Sequence, residues 1–305
     1  MKTEWMPGAR PFLAVSCLTI GLVLATGPRA QADTDVLVGE VGVFTDLGDL
    51  TLDPATAVIA VAVHHDSDQE VNGVTFRTDG QNNNPGIANE GDVTVTTTST
   101  HRINDWSNAP NFTGGTPGSA ASLSQIMRDI RWSAAPNPLT VEIDGLAPNT
   151  PYEIQLLFNE GADRNRRWDI EVNGELVVDD FTSEGLHTQS WNPGNSAYYR
   201  GEFASDPDGF IDIRLQQNIG GQPSPGGDNN PILQAVIVHI AFVSEDGDDL
   251  NDPFEQRIID ADDGDTIETL EDVLEGDDFD NDGLTNLEEQ EGGTDPTNPD
   301  TDDDG

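Results

Sequence analysis

Between Leu139 and Val178 apolar and polar residues alternate in short runs, and this pattern sets the kind of chain this is. Leu139, Val141 and Ile143 form one run. Tyr152, Ile154, Leu156 and Phe158 form a second, Trp168, Ile170 and Val172 a third, and Leu176 and Val178 a fourth. A period of two puts the apolar residues of each run on one face of a strand. Asn173-Gly174 reads as a two-residue hairpin turn, and Gly145-Leu146-Ala147-Pro148-Asn149 turns the chain earlier. Ile211, Ile213 and Leu215 alternate again, and Ile232 to Phe242 reads as one mostly apolar strand. Upstream, Val58 to Val63, Val71 to Phe76 and Val93 to Thr97 read as strands, and Ser122 to Ile130 as a short helix or turn. Trp168 is in phase with the core, while Asp169 and Glu171 fall on the outward face. Many short strands between Gly/Pro turns predict a mainly β fold, an antiparallel jelly-roll-type sandwich.

Charge excludes some functions. The chain has 305 residues, 57 Asp+Glu against 13 Lys+Arg, and a formal net charge of -44. Such a polyanion offers no basic patch for a nucleic-acid backbone and no attraction to an anionic membrane. Acid richness also fits a salty habitat, where surface carboxylates keep proteins soluble, so charge alone does not specify a metal.

The N-terminus reads as an export signal. Lys2 and Arg10 are basic, Phe12 to Ala25 is mostly apolar, and Ala30-Gln31-Ala32 fits a cleavage site. Residues 1–32 are therefore expected to be a signal peptide cut after Ala32. Bacterial export would deliver the chain outside the cell or to its surface. No later segment is long and apolar enough to span a bilayer. The single Cys, Cys17, lies within the signal, so a core or a metal must staple the exported chain.

Composition changes near Ser244, dividing the exported chain into a β-domain at 33–243 and an acidic segment at 244–305. In that segment Asp278, Asp280 and Asp282 occupy positions 1, 3 and 5 of a loop, and Gly283 position 6. The Leu284 carbonyl serves position 7 and Glu289 position 12. Ca²⁺ takes about 6–8 oxygens, and this spacing wraps them round one ion. Thr285 stands at position 8, where a paired EF-hand has an aliphatic residue. A second loop opens at Asp300, Asp302, Asp304 and Gly305. A degenerate copy lies upstream, with Asp246, Asp248, Leu250 and Glu255 in the same register. Between the copies, Asp265 with Glu268 reads as a capping box opening a short helix through Leu274.

The run Asp278 to Gly305, with Gly293-Thr294-Asp295-Pro296-Thr297-Asn298-Pro299, resembles bacterial thrombospondin type-3 calcium repeats. The resemblance covers roughly the last 60 residues and implies a calcium-ordered spacer on a secreted or surface protein. Without the ion the carboxylates repel, and binding would supply the folding energy.

The stretches Tyr152 to Glu160, Trp168 to Val178 and Gly227-Asp228-Asn229-Asn230-Pro231 resemble malectin-like and galactose-binding-like carbohydrate modules. The resemblance implies a sugar contact near the Asn-Pro, where Asp228 and Asn229 stand. The family's aromatic pair is replaced here by Gly161-Ala162-Asp163-Arg164. Sugar binding needs aromatic faces and planar polar groups. Candidates are Trp106, Trp132, Trp191, Tyr198 and Tyr199, with Asn159, Glu160, Asp228 and Asn229.

No nucleophile elbow, zinc-protease helix or phosphate loop occurs, and His64-His65-Asp66 lacks a third metal ligand placed by spacing. The expected function is a secreted, non-catalytic carbohydrate-binding module on a calcium-stabilised stalk, its partner an extracellular or cell-wall glycan. Two other readings stand beside it: a structural or adhesive surface protein that binds another surface protein, and an extracellular glycan hydrolase.

Overall fold

The computed structural model describes residues 34–106, 109–161, 166–182, 196–219, 228–241, 248, 250–262, 264, 266–292 and 294–299. The expected signal peptide, Trp191, Asp246, Asp265, Asp300, Asp302 and Asp304 lie outside them.

The chain is mainly β, as the alternation predicts. One seven-stranded sheet contains β1 (Asp35–Val36), β6 (Gly86–Glu90), β7 (Val93–Thr98), β10 (Leu139–Asp144), β12 (Trp168–Val172), β13 (Glu175–Phe181) and β15 (Ile211–Gln216). Its strand order is β1-β13-β12-β15-β10-β7-β6. The facing sheet contains β2 (Glu40–Val43), β3 (Ala57–Ala62), β4 (Gln69–Val71), β5 (Val74–Thr78), β11 (Pro151–Asn159), β14 (Ser196–Ala204) and β17 (Ala235–Ile240). Its order is β2-β14-β11-β17-β3-β5-β4, and within it β3 and β5 run parallel. A small third sheet, β16-β9-β8, joins β8 (His101–Ile103), β9 (Ile130–Trp132) and β16 (Ile232–Leu233).

The main core lies between the two large sheets. Val141, Ile143, Ile170, Ile213 and Leu215 meet Ile59, Val61, Ile154, Leu156, Phe158, Val236 and Val238. Phe158, Trp168 and Phe181 form an aromatic knot, with ring centroids 4.8–5.4 Å apart. The second sheet is buried on its other face as well. There Ala60, Ala62, Phe76, Leu157 and Ile237 pack against α1 (Ser119–Ile126) and two further segments, one carrying Phe44 and Leu47 and the other Phe112. Burial on both faces explains why β17 reads as a continuous apolar run rather than an alternating one. Gln155, fully buried on that face, exchanges two hydrogen bonds with the backbone of Thr51.

Four sequence readings within the sandwich need revision. Val71 to Phe76 is not one strand: Asn72-Gly73, both at positive φ, turn the chain between β4 and β5. The expected Ile232–Phe242 strand breaks at Gln234, whose side chain bonds both the N–H and the carbonyl of Asn159. The expected Ser122–Ile130 helix spans Ser119–Ile126, and Ile130 opens β9. Asp169 does not face water: it is 1 % exposed, because the register of β12 shifts beside it and the Ile219 turn covers it.

The acidic segment folds round its own small core of Leu250, Phe254, Ile258 and Val273. It contains α2 (Asp252–Ala261) and α3 (Asn286–Gly292). Among the described residues of the helix expected from Asp265 to Leu274, Leu270–Asp272 form a 3₁₀ turn, boxed by Thr269 and Asp272.

Candidate functional site

Two clusters concentrate the chemistry. The first is a small cleft of about 120 Å³ on the small third sheet, lined by Ile103, Trp106, Ile130, Trp132, Arg166, Asp228 and Asn230. Strands β8 and β9 supply Ile103, Ile130 and Trp132. Trp106 follows β8 and is fastened by its backbone N–H to the Arg128 carbonyl at 2.7 Å. His101 stacks on Trp132 with ring centroids 4.1 Å apart, which fixes that indole's plane. Both indole N–H groups are buried and make no hydrogen bond among the described residues.

Arg166 ties the floor together. Its Nε donates to Glu160 Oε2 at 2.5 Å, and its Nη1 donates to the Asn230 carbonyl at 3.0 Å. Asp228 Oδ2 lies 3.4 Å from the same Nη1, and the guanidinium sits 5.7 Å from the centre of the Trp106 ring. Glu160 is fully buried and Arg166 nearly so. A guanidinium shared between two carboxylates and a ring holds the cleft's polar side in one geometry. A short parallel bridge pairs Arg166 with Asp228, and the Arg167 N–H donates to the Asp228 carbonyl at 3.1 Å.

Of the candidates from sequence, Trp106, Trp132, Glu160 and Asp228 meet at this cleft. Asn229 adjoins it, with a buried Oδ1 that has no partner among the described residues. Asn159 is buried beneath, its Nδ2 donating to the Met127 carbonyl and its Oδ1 accepting from Ser196 Oγ. Tyr199 lies in the main core, its hydroxyl donating to the Val38 carbonyl at 3.2 Å. Tyr198 points to the other face of its sheet, under Arg200 and beside Glu40. Arg166 was not singled out from the sequence. Its signal was there: Arg164, Arg166 and Arg167 cluster in a chain with few basic residues.

His65 and Asp129 form a separate buried pair, Nδ1 to Oδ2 at 2.8 Å, at the edge of a polar pocket.

The second cluster is the acidic loop. Asp278, Asp280 and Asp282 each place an oxygen within 4.8 Å of the others. The Gly283 N–H donates to Asp278 Oδ2 at 3.0 Å and the Leu284 N–H to Asp282 Oδ1 at 2.8 Å, which curls the loop inward. Gly283 has a φ of 103° with open space around it, so backbone conformation rather than crowding demands glycine. Thr285 and Glu288 cap α3 reciprocally, which gives the departure at position 8 a structural role. Capping sets the helix so that Glu289, fully buried, turns toward the loop.

Asp278 Oδ1, Asp280 Oδ2 and Glu289 Oε2 are buried without a hydrogen-bond partner among the described residues. Burial, then Asp280 and Asp282, pushes the Glu289 carboxyl up to about 7. Burial and the neighbouring carboxylates push Asp280 up as well. Orphaned carboxylate oxygens converging at this spacing fit a hard divalent cation. The upstream copy repeats the geometry: the Leu250 N–H donates to Asp248 Oδ1 at 2.8 Å, and Glu255 is the fourth residue of α2, as Glu289 is of α3.

No protein-family model matches the sequence, and no curated protein matches it. Among solved structures, the chain is similar to the extracellular domain of ANXUR1 from Arabidopsis thaliana. The identity is 20 %, over 68 % of this chain and 53 % of that one, with a TM-score of 0.42. It is also similar to a Bacteroides uniformis β-glucuronidase, at 16 % identity over 65 % of this chain and 19 % of that one, TM-score 0.35. A third likeness is to a family 35 carbohydrate-binding module from Clostridium thermocellum, at 22 % identity over 34 % and 72 %, TM-score 0.23. The chain spans about half the length of the ANXUR1 domain. Among the described residues no helix is long and apolar enough to cross a membrane.

Proposed function

We propose that this chain is a secreted, non-catalytic carbohydrate-binding module, a sandwich at 33–243 carried on thrombospondin type-3-like calcium repeats at 244–305. Its ligand is an extracellular or cell-wall glycan. The observation that carries the reading is the cleft, where two indoles, Trp106 and Trp132, face a floor of Arg166, Asp228 and Asn230. Indole faces suit the C–H surfaces of a sugar, and a fixed guanidinium, carboxylate and amide suit its hydroxyls. Glu160 and Asp228 are both engaged by Arg166, which fits positioning better than acid–base turnover of a glycosidic bond. In the acidic segment Asp278, Asp280, Asp282 and Glu289, with the Leu284 carbonyl, would hold Ca²⁺, and Asp248 and Glu255 would serve the upstream copy.

A glycan panel titrated with the full chain, in Ca²⁺ and again in chelator, tests the proposal. Binding to a defined sugar that falls tenfold or more in Trp106→Ala and in Trp132→Ala supports it. Silence of the unaltered chain across a broad panel overturns it in favour of a structural or adhesive surface protein. Turnover of a glycan by the unaltered chain overturns the non-catalytic part.

A further inference from the structure

We propose that Asp169, Asp179 and Asp180 form a cation site in the sandwich itself, separate from the acidic segment, and that its ligand is a hard divalent cation of the calcium type.

The three residues come from neighbouring strands, Asp169 from β12 and Asp179 and Asp180 from β13. Each offers a carboxylate oxygen within 4.8 Å of the other two. Asp169 is 1 % exposed and Asp180 6 %. Buried carboxylates are ordinarily paired, hydrogen-bonded or bound to a metal. Asp169 accepts the Asp180 N–H at 3.0 Å and the Ile219 N–H at 2.6 Å, one on each oxygen, so each oxygen keeps a lone pair for a ligand. Asp180 is the decisive residue. Its side chain accepts no hydrogen bond among the described residues, and its Oδ1 is sealed from solvent. Neither Asp169 nor Asp180 has an ion pair among the described residues. Burial, and to a lesser degree the neighbouring charges of Asp179 and Asp180, push the Asp169 carboxyl up.

Three carboxylates and no nitrogen or sulfur donor match the oxygen preference of Ca²⁺. The core beside the site, built on Trp168 and Phe181, holds the two strands whatever the occupancy. Bound cation would therefore add stability to the sandwich rather than fold it.

The test counts calcium ions per full chain by equilibrium dialysis and follows thermal unfolding with and without Ca²⁺, for the unaltered chain and for Asp180→Asn. Asp180 has a φ of 57°, a conformation Asn tolerates, so this variant keeps the backbone. The expected result is a loss of one ion per chain and a smaller calcium-induced rise in Tm. Asp179→Asn, at a half-buried position, is a second variant expected to lose the same ion should Asp180→Asn fold poorly. An unchanged ion count in a folded variant overturns the proposal. So does a loss in these variants that Asp280→Asn with Glu289→Gln already accounts for, since the missing ion would then belong to the acidic loop.

Discussion

The side-chain oxygen of Gln290 accepts the backbone N–H of Asn251 at 2.7 Å. Gln290 follows Glu289 on α3, and Asn251 is the N-cap residue of α2. Both also line pockets with Thr56 and Ile240 of the sandwich. The helix that closes the acidic loop therefore grips the start of the helix that packs beside the sandwich. An ion held by Asp278 and Glu289 would act on both.

Gln290→Ala should separate ion binding from this grip. A typical hydrogen bond contributes about 1 kcal/mol, and the loop ligands are untouched. Calcium affinity should stay within about threefold, while unfolding of the segment shifts by about 1 kcal/mol. Titration calorimetry beside denaturant unfolding in saturating Ca²⁺ checks both halves. A tenfold loss of affinity would show that Gln290 shapes the loop instead.

The raised Glu289 carboxyl gives the calcium-free chain a pH signature. Its folded value of about 7 lies above the ordinary 4.5, so between these limits the folded segment holds more protons than the unfolded one. Stability of the segment in chelator then falls as pH rises from about 4.5 to about 7 and levels off above. Glu289→Gln should flatten that slope. With Ca²⁺ present the dependence reverses, because the ion binds the deprotonated loop. Far-UV circular dichroism melts at several pH values, with and without chelator, read the sign directly.

His239 produces the opposite slope in the sandwich. Its ring is buried between Thr56 Oγ1 at 3.1 Å and the Thr51 carbonyl at 3.1 Å, and burial holds its pKa below the ordinary 6.5. The carbonyl only accepts, so Nε2 carries the proton, while the Thr56 hydroxyl beside Nδ1 donates to Asp53 Oδ2 at 3.0 Å. Below about pH 6.5 the unfolded chain takes up a proton that the folded ring resists, and stability declines as pH falls. His64, also depressed by burial and by Arg131, adds to the trend. His239→Gln should reduce the loss of Tm between pH 7 and pH 5; an unchanged loss would assign the slope elsewhere.

The alternating strands from Leu139 to Val178 were legible because a half-buried strand writes its face into the sequence. Other features depend on contacts distant in the chain. The parallel pairing of β3 with β5 leaves no local mark, and neither does the second buried face under Leu157 and Ile237. Strand β14 went unread because Arg200, Gly201 and Glu202 interrupt its apolar residues, although it pairs along the whole of β11. Asn72-Gly73 carried the same signal as Asn173-Gly174 but was hidden by valines on both sides. In the cleft, Trp106 and Asp228 were legible as residue types suited to sugars. Arg166 was not, because its role comes from Glu160 and Asp228 closing on it from two segments.

Gly161 is where the cleft is most sensitive to a small change. A Cβ there would lie 2.3 Å from the Trp106 carbonyl and 2.5 Å from its indole ring. Neither contact is tolerable, and one is to backbone, so Gly161→Ala must displace the Trp106 wall or its own strand end. Gly161 follows Glu160, so the displacement also strains the ion pair with Arg166. Glu160→Ala attacks that pair from the other side, leaving the nearly buried Arg166 with Asp228 as its carboxylate partner among the described residues. Loss of one member of a buried pair costs about 3–5 kcal/mol. Glu160→Ala should therefore lower global stability by that order. Gly161→Ala should instead shift the Trp fluorescence and abolish sugar binding at a cost of about 1–3 kcal/mol, the range for overpacking. Urea unfolding beside glycan titration separates the two. Wild-type affinity in a folded Gly161→Ala chain would mean that Trp106 does not form the binding wall.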